Sequence, residues 1–177
     1  WAALPADIIR KSPVVPITDN YDRLFYEPDA IARSARYSHY VDGTHMLRTH
    51  TTAGIPAALA ETENDRLIVC PGLVYRRDVI DRLHVGEPHQ LDLWRIARTT
   101  LGEPDLDTLI AAVVAAALPG TQWRTQPATH PYTTHGRQID VLVDNEWIEI
   151  GECGLAARRI LDDAGLAYHH GLAMGLG

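Results

Sequence analysis

At 177 residues, 46% hydrophobic and 22% charged, with proline and glycine spread along its length, the chain has the composition of one globular domain and not of a disordered or fibrous protein. Its longest apolar run, Leu109 to Leu118, has ten residues, too few for a helix to cross a hydrocarbon layer of about 30 Å. Acidic residues outnumber basic ones 23 to 16, and the net charge of -7 excludes a general electrostatic grip on a polyanion, so any nucleic-acid contact has to be local.

Residues 1–20 carry Pro5, Pro13 and Pro16, which block a continuous helix, and the segment is expected to be an irregular approach to a core spanning 21–177. The stretch opens on Trp1 with no basic and apolar leader pattern, and a native start further upstream is expected. From Tyr21 to Tyr40 aromatic and charged residues mix without period, leaving room for one short helix. Asp42-Gly43 marks a turn before a strand over His45 to Thr52, and Ala53 to Glu61 then reads as a helix. Arg66 to Asp78 and Pro88 to Ile96 are rich in strand formers and alternation, and the loop between them lets them pair as antiparallel neighbours. Asp105 to Leu118 starts with acids, continues in Ala and Leu and stops at Pro119-Gly120, the pattern of a helix with both ends marked. Arg137 to Val143 and Glu146 to Cys153 alternate around Asp144-Asn145 and predict a tight hairpin; Leu155 to Ala164 reads as a helix stopped by Gly165. Hairpins with helices between them predict an α+β domain built on a mainly antiparallel sheet.

The most informative block is Val74-Tyr75-Arg76-Arg77-Asp78, a loop, and Pro88-His89-Gln90-Leu91-Asp92. Side chains two apart on a strand share a face, so Arg76 with Asp78, and Gln90 with Asp92, are placed to point into one cleft. A guanidinium holds phosphate through two parallel hydrogen bonds, and carboxamide and carboxylate oxygens suit an ammonium group. A site for a phosphate beside an amine suggests amino-acid activation, although the same pattern also describes a surface hairpin of solvated charges.

Several segments together carry a family resemblance. Leu47-Arg48-Thr49-His50-Thr51-Thr52, Gly72 to Asp92 with its GLVYRRD start and His-Gln-Leu-Asp end, Ile148 to Leu155 (IEIGECGL) and Gly171 to Gly177 (GLAMGLG) follow one another in the expected order, after an Asp22-x-Leu24, Pro28-Asp29, Ala32-Arg33 segment. This order resembles the catalytic core of class II aminoacyl-tRNA synthetases, most closely the α subunit of the phenylalanyl-tRNA synthetase family. The resemblance implies that Arg76 is the catalytic residue, holding the α-phosphate of ATP and the substrate carboxylate. It further implies that Asp78 and His84 meet the nucleotide, and that His50, Thr52, Gln90, Asp92, His130 and Tyr132 surround the amino acid. Mg²⁺ would come with the phosphates, and no protein metal site is implied. It also implies an amino acid as substrate, tRNA or another acyl acceptor, a homodimer or a second subunit, and a cytoplasmic place.

The departures from the family pattern bear on specificity. An FPF element is replaced by His130-Pro131-Tyr132, with Thr134 where an acid is usual; the adenine-stacking aromatic is Pro88; the HQxEG acid is Asp92; and Ala156-Ala157-Arg158-Arg159 stands where a His-Pro follows. A purely apolar phenyl pocket is therefore not expected. The stretch ends at Gly177, before the motif 3 arginine, so it is either a truncation or lacks a catalytic residue. Two further readings belong to other classes: a silent paralogue that binds amino acid or nucleotide and regulates a partner, and a zinc hydrolase using His84-x4-His89 with Glu87. Trp94, Trp123, Trp147 and Cys153 are expected in the core, and His169-His170 as structural. Glu149 and Glu152 either approach the cleft or form a solvated face.

Overall fold

The computed structural model describes residues 6–77 and 80–177. Among them nine strands and four α-helices occur, with seven strands in one sheet of order β1-β4-β5-β9-β8-β7-β6. The strands of that sheet are β1 (Ala6–Ile8), β4 (Arg66–Leu73), β5 (His89–Ala97), β6 (Trp123–Pro127), β7 (Thr133–Val143), β8 (Glu146–Ala156) and β9 (His170–Leu176). All neighbours pair antiparallel except β1 on β4, so the mainly antiparallel α+β expectation holds. The two strands flanking the central loop pair residue for residue, from Arg66 with Ile96 to Leu73 with His89. Asp144 and Asn145 turn the β7–β8 hairpin with φ of 50° and 64°, the left-handed pair that a two-residue hairpin of right-handed twist requires.

The first twenty residues are not irregular throughout. Ala6–Ile8 adds a parallel edge strand, β2 (Val14–Pro16) pairs with β3 (His45–Leu47) in a small second sheet, and Ile17–Asn20 forms α1. The prolines were compatible with this because Pro16 ends an edge strand, where a missing N–H costs no ladder bond. The segment after it carries two 3-10 turns, Asp22–Leu24 and Ile31–Arg33, in place of one helix. The strand expected from His45 to Thr52 stops at Leu47, and Thr51–Gly54 is a 3-10 turn leading into α2 (Ile55–Ala60).

Helix α3 (Glu103–Ala117) matches its signals: Asp105 Oδ2 accepts the Gly102 N–H at 2.9 Å, and Pro104 lies in the first turn. Helix α4 is shorter than its pattern, Arg158–Asp163, because β8 runs on to Ala156 and takes Leu155 into the sheet. The glycine-punctuated last segment is the central strand β9; its small residues suit a strand with neighbours on both edges and a cavity on one face.

The faces of the sheet are covered unequally. Leu106, Leu109, Ile110 and Val114 of α3 bury against Ile139, Val141, Cys153, Leu172 and Met174 on one face. On the other, α2, α4 and Leu24 cover Ile68, Cys70, Trp94, Ile96 and Ala173. That second cluster covers only one end of β5, β9 and β8 and leaves a concave surface over the other end, around Gln90, Asp92, Gly175 and Glu152. Among the described residues no helix is long and apolar enough to cross a membrane.

Candidate active site

The uncovered part of the sheet is a cavity of about 550 Å³, and it gathers Arg76, His84, His50, Thr52, Gln90, Asp92, His130 and Tyr132 from five separate stretches of chain. Asp78 lies outside the described residues. Arg76 reaches the cavity differently from the strand-face expectation. Strand β4 ends at Leu73, and Arg76 sits in the extended segment beyond it, its N–H bonded to the Gly86 carbonyl at 2.9 Å. Its side chain is aimed by one bond, from Nε to the Thr49 carbonyl at 2.8 Å. Thr49 is itself fixed by buried Asn20, which donates to Thr49 Oγ1 at 2.9 Å and accepts the Thr49 N–H at 3.1 Å. The Nη atoms of Arg76 have no carboxylate partner among the described residues. A guanidinium anchored through one nitrogen, with its fork free and facing a cavity, is placed for an oxyanion.

The adjoining Arg48 plays a structural part that the sequence pattern did not signal. It is buried, and its Nε donates to the Leu73 carbonyl at 2.8 Å. A Cβ on Gly72 would lie 1.9 Å from Arg48 Nη2, so only glycine lets this side chain cross the end of β4.

Asp92 occupies the cavity floor. It is 3% exposed and accepts from Thr51 Oγ1 at 2.7 Å, from Thr52 Oγ1 at 3.0 Å on both oxygens, and from Trp94 Nε1 at 3.2 Å. Burial pushes its carboxyl above the ordinary range, the three donors and Arg48 pulling the other way. No cation pairs with it directly among the described residues, so an ammonium brought to it would gain a charge-assisted hydrogen bond in a desolvated place. Gln90 lies two residues back on the same face and accepts the Thr51 N–H at 3.4 Å. Thr52, expected on the amino acid, acts here as a donor that orients Asp92; Thr51 does the same and was not singled out.

Aromatic rings build one wall. Tyr132 lies 6.0 Å from Trp94 and 6.4 Å from Tyr26, and His130 stacks on it at 5.8 Å. Tyr26, which carried no sequence signal beyond its aromatic neighbourhood, also stacks on His50 at 5.8 Å. Burial, with the nearby Arg76 and Arg48 charges, drops the His50 imidazole to about 3, the Asn20 carbonyl opposing, so the ring is neutral near pH 7. Burial also raises both phenols, Tyr26 to about 12 and Tyr132 well above its usual value.

Glu149 and Glu152 both reach the cavity, although three residues apart on one strand they would ordinarily face opposite ways. A bulge explains it: Ile139 pairs with Gly151 and Asp140 with Glu149, leaving Ile150 unpaired and turning Glu149 to the face of Glu152. Burial and Glu152 together raise the Glu149 carboxyl. His130 Nε2 lies 2.8 Å from Glu152 Oε2. His84 is on the exposed rim, bound to Asp81 at 2.8 Å, and Pro88 stands at the wall. His89 does not line the cavity, and among the described residues no three ligating side chains cluster for a metal. Of the tryptophans, Trp94 is fully buried, but Trp123 and Trp147 are 38% and 39% exposed; Arg124 covers the Trp147 ring at 4.3 Å, a surface role that strand alternation alone did not reveal. Cys153 is buried as expected, and His169 is buried with its imidazole lowered by desolvation.

The family model described as tRNA synthetases class II core domain (F) matches residues 7–177. The chain belongs to this family. A phenylalanine–tRNA ligase alpha subunit from Prochlorococcus marinus (strain NATL2A) is 30% identical over 160 residues, covering 89% of this chain and 48% of that protein. The chloroplastic/mitochondrial phenylalanine–tRNA ligase of Arabidopsis thaliana is 28% identical over 177 residues, covering 94% and 41%. The chain thus spans about half the length of the curated relatives it matches. Among solved structures, a pyrrolysyl tRNA synthetase of Desulfitobacterium hafniense, PylSc, superposes with a TM-score of 0.70 at 13% identity, over 96% of this chain and 59% of the other, a likeness of fold.

Proposed function

We propose that the chain activates an α-amino acid with ATP, forming an aminoacyl-adenylate that is then transferred to tRNA or another acceptor. A carboxylate oxygen of the amino acid bonds to the α-phosphorus, the bond from that phosphorus to the bridging oxygen of the β-phosphate breaks, and pyrophosphate leaves. Such a displacement needs alignment and charge neutralisation more than a side-chain nucleophile. The carrying observation is Arg76, held by Thr49 with its fork free, across a cavity from buried Asp92. Arg76 takes the α-phosphate and steadies the attacking carboxylate; Asp92, set by Thr51, Thr52 and Trp94, takes the α-ammonium with Gln90; His84 belongs to the nucleotide side.

Mg²⁺ fits this cavity as an ion carried by phosphate oxygens, because carboxylates such as Glu149 line it without forming a complete cage. When bound it neutralises phosphate charge. Assembly with a second copy or a second subunit, and a cytoplasmic place, belong to the same proposal.

The test is amino-acid-dependent exchange of pyrophosphate into ATP, with wild type and Arg76→Ala. Loss of a charged hydrogen bond of about 1.5–3 kcal/mol predicts a fall of roughly tenfold or more in kcat/KM. Exchange by the variant within threefold of wild type would remove Arg76 from the α-phosphate. A second reading, a paralogue that binds its ligand without activating it, would show binding and no exchange.

A further inference from the structure

The cavity has a second acidic end for which adenylate formation has no use. Asp92 of β5 and Glu152 of β8 are both register partners of Gly175 on β9, so the two acids stand in one row across three strands with a glycine between them. Two strand spacings put their backbones about 10 Å apart. Both acids line the cavity, and Cys153 next to Glu152 also belongs to the α3 core. A Cβ at Gly175 would meet only Asp92 Oδ2, at 3.9 Å, so the floor between the acids is open.

Glu152 lies beside His130 there. His130 Nε2 is 2.8 Å from its Oε2, His130 Nδ1 is 3.0 Å from Thr133 Oγ1, and the imidazole stacks on Tyr132. Asp92 and Glu152 both act on the hydroxyls of Tyr26 and Tyr132, so the two phenols lie within the field of both acids. A phenyl or aliphatic side chain entering this end would strip water from Glu152 and give nothing back. A nitrogen donor would restore what desolvation takes.

We propose that this end of the cavity selects an α-amino acid whose side chain carries a second nitrogen donor, with Asp92 and Gln90 on the α-ammonium and Glu152, beside His130, on the side-chain nitrogen. The inference rests on Asp92 marking an amino-acid site, as the proposed function has it. A side chain of ornithine or lysine length reaches from one acid to the other over Gly175. Glu152 and His130 line the cavity side by side, and Tyr132 closes the wall behind them.

Calorimetric binding tests this without any need for turnover. The 177-residue chain is titrated with L-ornithine, L-lysine, L-histidine, L-phenylalanine and L-leucine. One of the three nitrogen-bearing amino acids is expected to bind at least tenfold more tightly than phenylalanine and leucine. Glu152→Gln is expected to weaken that binding tenfold or more while leaving the affinity for a non-hydrolysable ATP analogue within twofold. Gly175→Ala puts a methyl between the acids and is expected to weaken the same amino acid with an unchanged melting temperature, which keeps the test valid if Glu152→Gln folds poorly. Tightest binding of phenylalanine or leucine, no binding by any of the five, or a wild-type profile in both variants overturns the proposal. Pyrophosphate exchange run on the same amino acids separates the two readings. Phenylalanine-dependent exchange would discard this specificity and keep activation, whereas ornithine or lysine binding without exchange would keep the subsite and discard activation.

Discussion

Arg76 acts at the end of a short relay of hydrogen bonds, Asn20 to Thr49 to Arg76, in which each member is fixed by the one before. Asn20 is fully buried, so Asn20→Ala strands the Thr49 N–H away from water, at a cost of about 1–3 kcal/mol. Its urea midpoint should fall accordingly, and its exchange activity should fall further than stability alone explains, because Arg76 loses its aim. His50 makes a different residue-scale prediction. Its folded value of about 3 lies below the ordinary 6.5, so between those limits the unfolded chain binds a proton that the folded one refuses. Stability from this residue is therefore complete above pH 6.5 and is lost as pH falls towards 3. His50→Phe keeps the ring stacked on Tyr26 and should flatten the pH dependence of unfolding over that window by up to one proton. A profile parallel to wild type would mean that His50 titrates normally in the folded protein.

At the scale of elements, the β7–β8 hairpin carries Glu149 and Glu152, and its turn and its bulge are both local devices. Asn145 pays a left-handed penalty that glycine escapes. Asn145→Gly should raise stability by about 0.5 kcal/mol, read as a shift in denaturant midpoint with no change in its slope. The loop after β4 is tied to the same hairpin by Arg82 and Glu146 at 2.6 Å, both more than half exposed. That pair adds little stability, but it holds the rim carrying His84 against the hairpin across the cavity. The hairpin itself was legible from alternation around Asp144-Asn145. The bulge at Ile150 was not, because an extra residue leaves no mark in an alternating pattern until the partner strand is placed beside it.

For the whole molecule, the unequal cover of the sheet is what makes a site. Helix α3 seals one face, and the helices on the other cover only one end of β5, β9 and β8, leaving polar groups at the other end that ligands would complete. Ligands that bind only the folded state should then stabilise it strongly. At a hundredfold excess over Kd the gain is about 2.7 kcal/mol, which for a chain of this size raises the melting temperature by roughly 5–10 °C. A thermal scan with a non-hydrolysable ATP analogue and the cognate amino acid together should show such a rise in wild type and a much smaller one in Arg76→Ala. An equal rise in both would detach the nucleotide from Arg76.

The amino-acid sequence by itself determined the α+β class, the antiparallel pair around the central loop, helix α3, the hairpin and the family, because each depends on local periodicity, on end signals or on motifs in order. It also carried the residues Arg76, Gln90 and Asp92, since a cation and two acceptors near paired strands are written at short range. The parallel pairing of Ala6–Ile8, the strand nature of the glycine-rich β9 and the exposure of Trp123 and Trp147 were decided only by tertiary structure, because they depend on which neighbour lies alongside. The same holds for the Asn20–Thr49–Arg76 relay and for the row Asp92–Gly175–Glu152. Their members are separated by tens of residues along the chain, and only the register of the folded sheet and loops sets them within reach of one another.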